Sequence, residues 1–313
     1  MSPADPIPSD GATASSAADG TAASSAGVPS TDALATEFRR GSGLALLGSE
    51  VVVLFRRVRT IALLAALALI PILLAVAVRV TTDDAGSGGR GPAFLGDITQ
   101  NGLFVSLTAL TVAIPLFLPL TVGVVAGDTI AGEASLGTLR YLLVTPVGRV
   151  RLLLVKYAGA ALFCLVGTLV VVVVGAIAGA ALFPVGPVTL LSGQTIGLGD
   201  YAGRMLLMAL YVTVSLLGLS AIGLFASTLT SVPVGAMAAT IVLSTVAQIV
   251  DALPQLDFLD PWLFTHYWLG FADLLRDPIS WSNFADNALL QAGYIAVFGA
   301  LALGRFTTKD VLS

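Results

Sequence analysis

The side chains able to do chemistry are few, and most of them fall in one stretch. Residues 127–157 read GDTIAGEASLGTLRYLLVTPVGRVRLLLVKY. Two carboxylates, Asp128 and Glu133, and four cations, Arg140, Arg149, Arg151 and Lys156, lie there among leucines. Leu136, Leu139, Leu143 and the pair Leu142/Val144 recur at helical intervals, and Pro146 and Gly148 end that helix. A short helix of this kind, lying across a surface, offers leucines to a partner groove with Glu133 and Arg140 at its rim. The expected chemistry is charge-assisted contact; the same pattern also fits a helix that only anchors a loop at a membrane surface.

Catalysis has little to build on elsewhere. No G-x-x-x-x-G-K-[ST] loop is present, so the chain is not expected to hydrolyse ATP, and it is read as no enzyme. No H-E-x-x-H occurs, and no G-x-S-x-G surrounds a serine that could act as a nucleophile within a membrane. The single cysteine, Cys164, leaves no disulfide within the chain, and the single histidine, His266, makes a His-rich metal site impossible. No metal site is expected, and His266 is read as an interfacial side chain among Trp262, Tyr267 and Trp268 without a partner ligand.

The elements that must position these residues are membrane helices. Of 313 residues, 56% are of the types AVILMFWYC and only 11% are charged, against about a quarter charged in soluble domains. Too little charge remains to cover a soluble surface, which excludes a soluble enzyme, a nucleic-acid binder and a coiled coil. Six apolar stretches, 61–78, 103–126, 157–182, 205–229, 232–250 and 288–304, are long enough to cross a hydrocarbon core of about 30 Å. They lack the alternating polarity of barrel strands, so the fold class is an all-α integral membrane protein with six transmembrane helices. Pro71, Pro115 and Pro119 are expected to mark kinks, and the last stretch, with Gln291 inside it, is the weakest. No Asp, Glu, Lys or Arg falls within these six stretches, which disfavours an ion-coupled carrier. Two G-x-x-x-G matches, Gly123 to Gly127 and Gly175 to Gly179, permit close helix approach within the chain or across a dimer.

Residues 1–31 are Ala, Ser, Gly, Thr, Pro and Asp without a basic start or a long apolar run, and read as a retained, disordered tail. Residues 32–59 read as an amphipathic interface helix, with Leu44, Leu47, Val51, Leu54 or Phe55 and Val58 at helical spacing; alternatively residues 51–55 lengthen the first span. Residues 60–313 form the six-span domain. The aromatic residues between the fifth and sixth spans, including Trp262, Trp268 and Trp281, suit a membrane interface.

With a cytoplasmic N-terminus, the inner segments carry eleven cations: Arg39, Arg40, Arg56, Arg57, Arg59, Arg140, Arg149, Arg151, Lys156, Arg305 and Lys309. The outer segments hold four: Arg79, Arg90, Arg204 and Arg276. By the positive-inside rule both termini face the cytoplasm.

The run Glu133-x-x-x-Gly137-Thr138-Leu139-x-x-Leu142-Leu143-x-x-Pro146-x-x-Arg149, followed by Lys156, resembles the motif of type-2 ATP-binding-cassette (ABC) transporter permeases. In that family it lies between the second and third of six spans, as here. The interface helix, the broken outer connection 260–278 and the cytoplasmic ends are similar to the family's architecture over about residues 34–310. Ser135 departs from the pattern, standing where many members carry a second acidic residue. The resemblance implies a plasma-membrane permease subunit with a cytoplasmic coupling helix between spans two and three. It implies an exporter by family habit. It also implies a separate ABC ATPase subunit as partner, a second permease subunit in a homo- or heterodimer, and ATP used only through that partner, with no cofactor on this chain. Glu133, Gly137, Thr138, Leu139, Leu142, Pro146, Arg149 and Lys156 are then the expected coupling residues. The alternatives are a non-transporting scaffold or sensor of the same fold and an ion-coupled secondary transporter.

The charge count makes a direct prediction. With Cys164 replaced, single cysteines at Gly88 and Asp273 should react with an impermeant reagent in intact cells, and one at Arg140 only after lysis. Labelling of the Arg140 position from outside would invert the topology.

Overall fold

A computed structural model describes residues 45–85, 98–137, 148–190 and 192–308. The tail at 1–31 and the coupling residues Thr138, Leu139, Leu142 and Pro146 lie outside the described residues. Helix α1 covers residues 45–56, and a bend at Arg57 separates it from α2 (Val58–Ala85). The expected interface helix is therefore helical over residues 45–56 and broken at Arg57, and Val58 and Arg59 belong to α2.

The second span is α3 (Phe104–Val112), a π-helical turn at Ala113–Phe117 and α4 (Leu118–Asp128). Pro115 sits inside that turn, where its missing N–H removes a rung of the i to i−4 ladder and widens the helix. Pro119 is in the first turn of α4, whereas Pro71 lies within an uninterrupted α2. A five-residue helix, α5 (Ala131–Ser135), follows, then α6 (Arg149–Leu182). A two-stranded hairpin pairs β1 (Val188–Thr189) with β2 (Thr195–Ile196), antiparallel. The chain ends in α7 (Leu198–Leu229), α8 (Pro233–Asp251), three 3-10 turns and α9 (Ser282–Thr308).

Among the described residues six helical spans are long and apolar enough to cross a membrane. The first, third, fourth and sixth helices overrun the expected stretches at ends that carry polar residues, while the fifth keeps the expected length. At 34 residues, α6 reaches about 51 Å, well beyond the apolar thickness, and begins eight residues before the expected 157. Lys156 is therefore inside a spanning helix, not before it.

Helix α7 is central and packs on α4, α6, α8 and α9. Its most apolar window is 72% buried, against 22% for α2 and 17% for α9, so the peripheral helices turn broad apolar faces outward. The core interleaves Leu110, Ile114 and Leu118 with Phe163, Met208, Leu216 and Leu219. Both G-x-x-x-G pairs work within the chain. A Cβ on Gly127 would lie 2.8 Å from the Met237 backbone nitrogen of α8, and one on Gly175 would lie 2.8 Å from Ser106 Cα of α3.

The connection between α8 and α9 folds back onto the bundle. Phe264, Trp268, Phe271, Leu274 and Leu275 join the core, and hydrogen bonds to and from α7 and α9 hold the connection. Trp268 Nε1 donates to the Ser215 carbonyl at 3.0 Å, Tyr211 Oη to the Tyr267 carbonyl at 2.7 Å, and Gln291 Nε2 to the Phe264 carbonyl at 2.9 Å. Trp268 is thus a core residue, not the interfacial one expected, while Trp262 and Trp281 are exposed. Gln291, the apparent weak point of the last span, is an anchor with no exposed surface.

The glycine contacts are testable by stability. Gly175→Ala must push α6 and α3 apart and should cost about 1–3 kcal/mol, while Gly203→Ala on α7, with open space around it, should be neutral or slightly stabilising. Thermal unfolding of the purified chain reads both; equal midpoints would show that the close packing is not limiting.

Candidate functional site

Three carboxylates and three cations gather at one end of the bundle. Lys156, in the second turn of α6, is 3% exposed. Its Nζ donates to Glu50 Oε1 of α1 at 2.7 Å and to Glu133 Oε1 of α5. Beside it, Asp128 closes α4. A carboxylate at a helix C-terminus is opposed by the helix dipole, and two guanidinium groups offset this. Arg57 lies 3.3 Å and Arg59 3.5 Å from the Asp128 oxygens. A cavity of ≈ 30 Å³, room for a water, lies among Glu50, Arg57, Arg59, Asp128 and Lys156.

The local sequence explains why α5 forms despite its length. Helices this short are not stable alone, and their first N–H groups need acceptors. Ser227, near the end of α7, supplies one: its Oγ accepts from the Ile130 N–H at 2.9 Å and the Ala131 N–H at 2.8 Å. At the other end Gly137 has φ of +71°, and its N–H donates to the Ala134 carbonyl at 3.1 Å. A left-handed residue after a helix is where glycine is favoured, so Gly137 stops α5 and sets the exit direction of the chain. Leu136 beside it is 75% exposed.

Of the expected coupling residues, the structure brings Glu133 and Lys156 together and sets Gly137 at the exit of the same short helix. Glu133 is not at a rim: its side chain is 12% exposed and turned onto Lys156. Arg149 starts α6 on the same side, where its Nη1 donates to the Phe306 carbonyl near the end of α9 at 3.4 Å. Sequence reasoning missed Glu50, Asp128 and Ser227 as members, and counted Arg57 and Arg59 only for topology. Glu50 could have been found as the one acid on the helix 45–56, on the face that also carries Leu47, Val51 and Leu54.

Chemically the cluster holds charge without a nucleophile or a proton acceptor facing an open pocket. What it does is tie α1, α2, α4, α5 and α6 into one unit. At the far end of the bundle, His266 does have a partner: its Nδ1 lies 2.9 Å from Asp251 Oδ1. The fifteen-residue separation hid this contact from the sequence.

Residues 46–250 match the family model described as "ABC-2 family transporter protein". The chain is also similar to a protein of Pseudomonas aeruginosa named "Probable ABC transporter permease protein NosY", at 32% identity over 136 residues. That alignment covers 44% of this chain and 48% of the relative, so the chain spans about half the relative's length.

The ion cluster predicts a sign pattern. Lys156→Ala leaves two carboxylates facing each other out of water and should cost about 3–5 kcal/mol. The triple variant Glu50→Gln, Glu133→Gln, Lys156→Met should recover most of that loss, since an apolar or neutral replacement of a buried ion group is near neutral. Urea unfolding in detergent checks both; a triple variant no better than Lys156→Ala would mean that the loss does not come from carboxylates left unpaired.

Proposed function

The chain belongs to the ABC-2 family of transporter proteins, and we propose that it is the membrane-spanning permease subunit of an ATP-driven exporter in the plasma membrane. A separate ABC ATPase subunit binds and hydrolyses ATP, this chain holds no cofactor, and a second permease subunit, identical or different, completes the assembly. The ion-pair end of the bundle, where α1 begins and α9 ends, faces the cytoplasm on this reading, in line with the eleven-to-four charge bias.

The observation that carries the reading is the double engagement of Lys156 by Glu50 and Glu133. It links the helix before the first span, the helix after the second and the head of the third. A push on the connection 127–150 then moves α1, α4 and α6 as one body, instead of bending a loose loop. Closure of the ATPase subunits would supply that push, and the spans would switch between two arrangements of the transport path. Leu136 and Gly137, exposed at the exit of α5, are the described positions best placed to meet the partner, and the motif residues Thr138, Leu139, Leu142 and Pro146 follow them in sequence. The absence of Asp, Glu, Lys and Arg from the middle of the spans favours an apolar or amphiphilic cargo.

The test uses the chain reconstituted with its ATPase subunit. Gly137→Leu forces a left-handed position onto a branched side chain at a cost of about 1–2 kcal/mol and redirects the segment that follows. Leu136→Asp removes an exposed apolar contact without touching the core. Both variants should insert and fold normally, yet lose ATPase retention or transport-linked ATP use. Unchanged coupling in both would return α5 to a simple anchor. Transport that survives ATP depletion and collapses with an ion gradient would replace the ATP-driven reading with an ion-coupled one.

A further inference from the structure

At the end of the bundle opposite the ion cluster, we propose that Asp251, Asp260 and His266 bind a divalent transition-metal ion with the preferences of zinc. One ligand atom from each residue lies within 4.8 Å of the other two. The three come from different turns. Asp251 is the last residue of α8, Asp260 opens the 3-10 turn Asp260–Trp262, and His266 follows the next reversal. Closed backbone turns hold them there: Leu253 N–H bonds the Val250 carbonyl at 3.0 Å, Leu263 N–H the Asp260 carbonyl at 3.0 Å and His266 N–H the Leu263 carbonyl at 3.0 Å.

A second, independent observation points to a cation. Asp260 Oδ1 is closed to solvent and accepts no hydrogen bond among the described residues. An ionised oxygen in that state is expensive, and a cation beside it restores what water has lost. The neighbouring sequence does not supply one. No Lys or Arg occurs from Met205 to Leu275, a stretch that holds Asp251, Asp257, Asp260 and Asp273. The flanking arginines are engaged elsewhere: Arg204 donates to the carbonyls of Leu274 and Arg276 at 2.8 and 2.6 Å, and Arg276 Nε lies 3.0 Å from Asp273 Oδ1. The C-terminal carbonyls of α8 add negative potential at Asp251.

The ligand chemistry selects the class of ion. One imidazole and two carboxylates suit zinc and its neighbours, whereas calcium requires six to eight oxygens. Ligand atoms bound at zinc distances of about 2.0–2.2 Å sit about 3.3 Å apart, against a present spacing within 4.8 Å. The His266 to Asp251 contact of 2.9 Å is already in that range. The His266 ring packs edge-on against Tyr267 at 4.9 Å between centroids, which limits its rotation, and its 35% exposure leaves a route of entry. The ion would pin the folded-back connection to the end of α8, a role separate from coupling to an ATPase.

The experiment uses the full chain, purified in detergent with a histidine-free tag and stripped by a chelator. Titrating zinc should show one ion per chain and raise the thermal midpoint. His266→Ala and Asp260→Asn should each weaken zinc binding by at least about tenfold, since losing even an outer-shell partner of a metal costs that much. Asp257→Asn, outside the cluster, should bind as the parent does. Without zinc, Asp260→Asn should unfold no earlier than the parent, because it removes a buried charge; this separates a lost ligand from a damaged fold. No bound zinc, unchanged affinity in both cluster variants, or calcium binding as tight as zinc would each overturn the site.

Discussion

A lysine ammonium removed from water dictates much of what surrounds it. Lys156 is 3% exposed, and taking a cation that far from solvent costs several kcal/mol unless anionic partners meet it. Glu50 and Glu133 meet it, and neither belongs to α6. The short helix α5 must therefore sit where Glu133 reaches inward, and α1 must lie along α6 with Glu50 facing it. Ser227 then has to cap α5 from α7, because five residues cannot satisfy their own first amides. Such a cluster adds little net stability over an apolar core, but it tolerates only one register of the helices that contribute to it.

Elsewhere the bundle relies on small residues and single polar anchors. Gly127 and Gly175 let α8 and α3 approach to backbone contact, which in lipid takes the place of the hydrophobic drive available in water. Gln291, Asn287, Ser215 and Tyr211 do the converse work: each offers a hydrogen bond to the folded-back connection or to another polar group inside the bundle. Backbone that is not helical at membrane depth has to find such partners. Arg204 performs the same service at the edge of that segment, on the carbonyls of Leu274 and Arg276.

How far the sequence could be read follows from these forces. Span number and type were legible because apolar mass is additive along the chain and needs no partner to be seen. Helix ends were not: Lys156 looks like a boundary in composition, yet a carboxylate from α1 and another from α5 let α6 extend past it. The resemblance over residues 133–149 drew attention to Glu133 and Gly137, but Glu133 was expected to face a partner, since its contact with Lys156 spans 23 positions. Glu50 lies 106 residues from Lys156, and Asp251 fifteen from His266, so no local pattern signals either. Gln291 read as a flaw because a polar residue in a span looks costly until the carbonyl it satisfies is known.

The central helix joins these two kinds of end. Helix α7 holds Ser227 under α5 at one end, and Ser215 and Tyr211 against the folded-back connection three to four turns away. Along a helix the rise is fixed at about 1.5 Å per residue, so the twelve residues from Ser215 to Ser227 hold these contacts about 18 Å apart whatever the surrounding helices do. A displacement of α5 cannot be taken up inside that length, because α7 is the most enclosed span and packs on four others. Enclosure is lowest at α2 and α9, whose most apolar windows are only 22% and 17% buried. Their outer faces are apolar, while the inner face of α9 is fixed to α7 through Asn287 and to the folded-back connection through Gln291. The division of labour is thus a consequence of packing: an enclosed central helix with charged and polar locks near its ends, and peripheral helices whose outer faces are apolar.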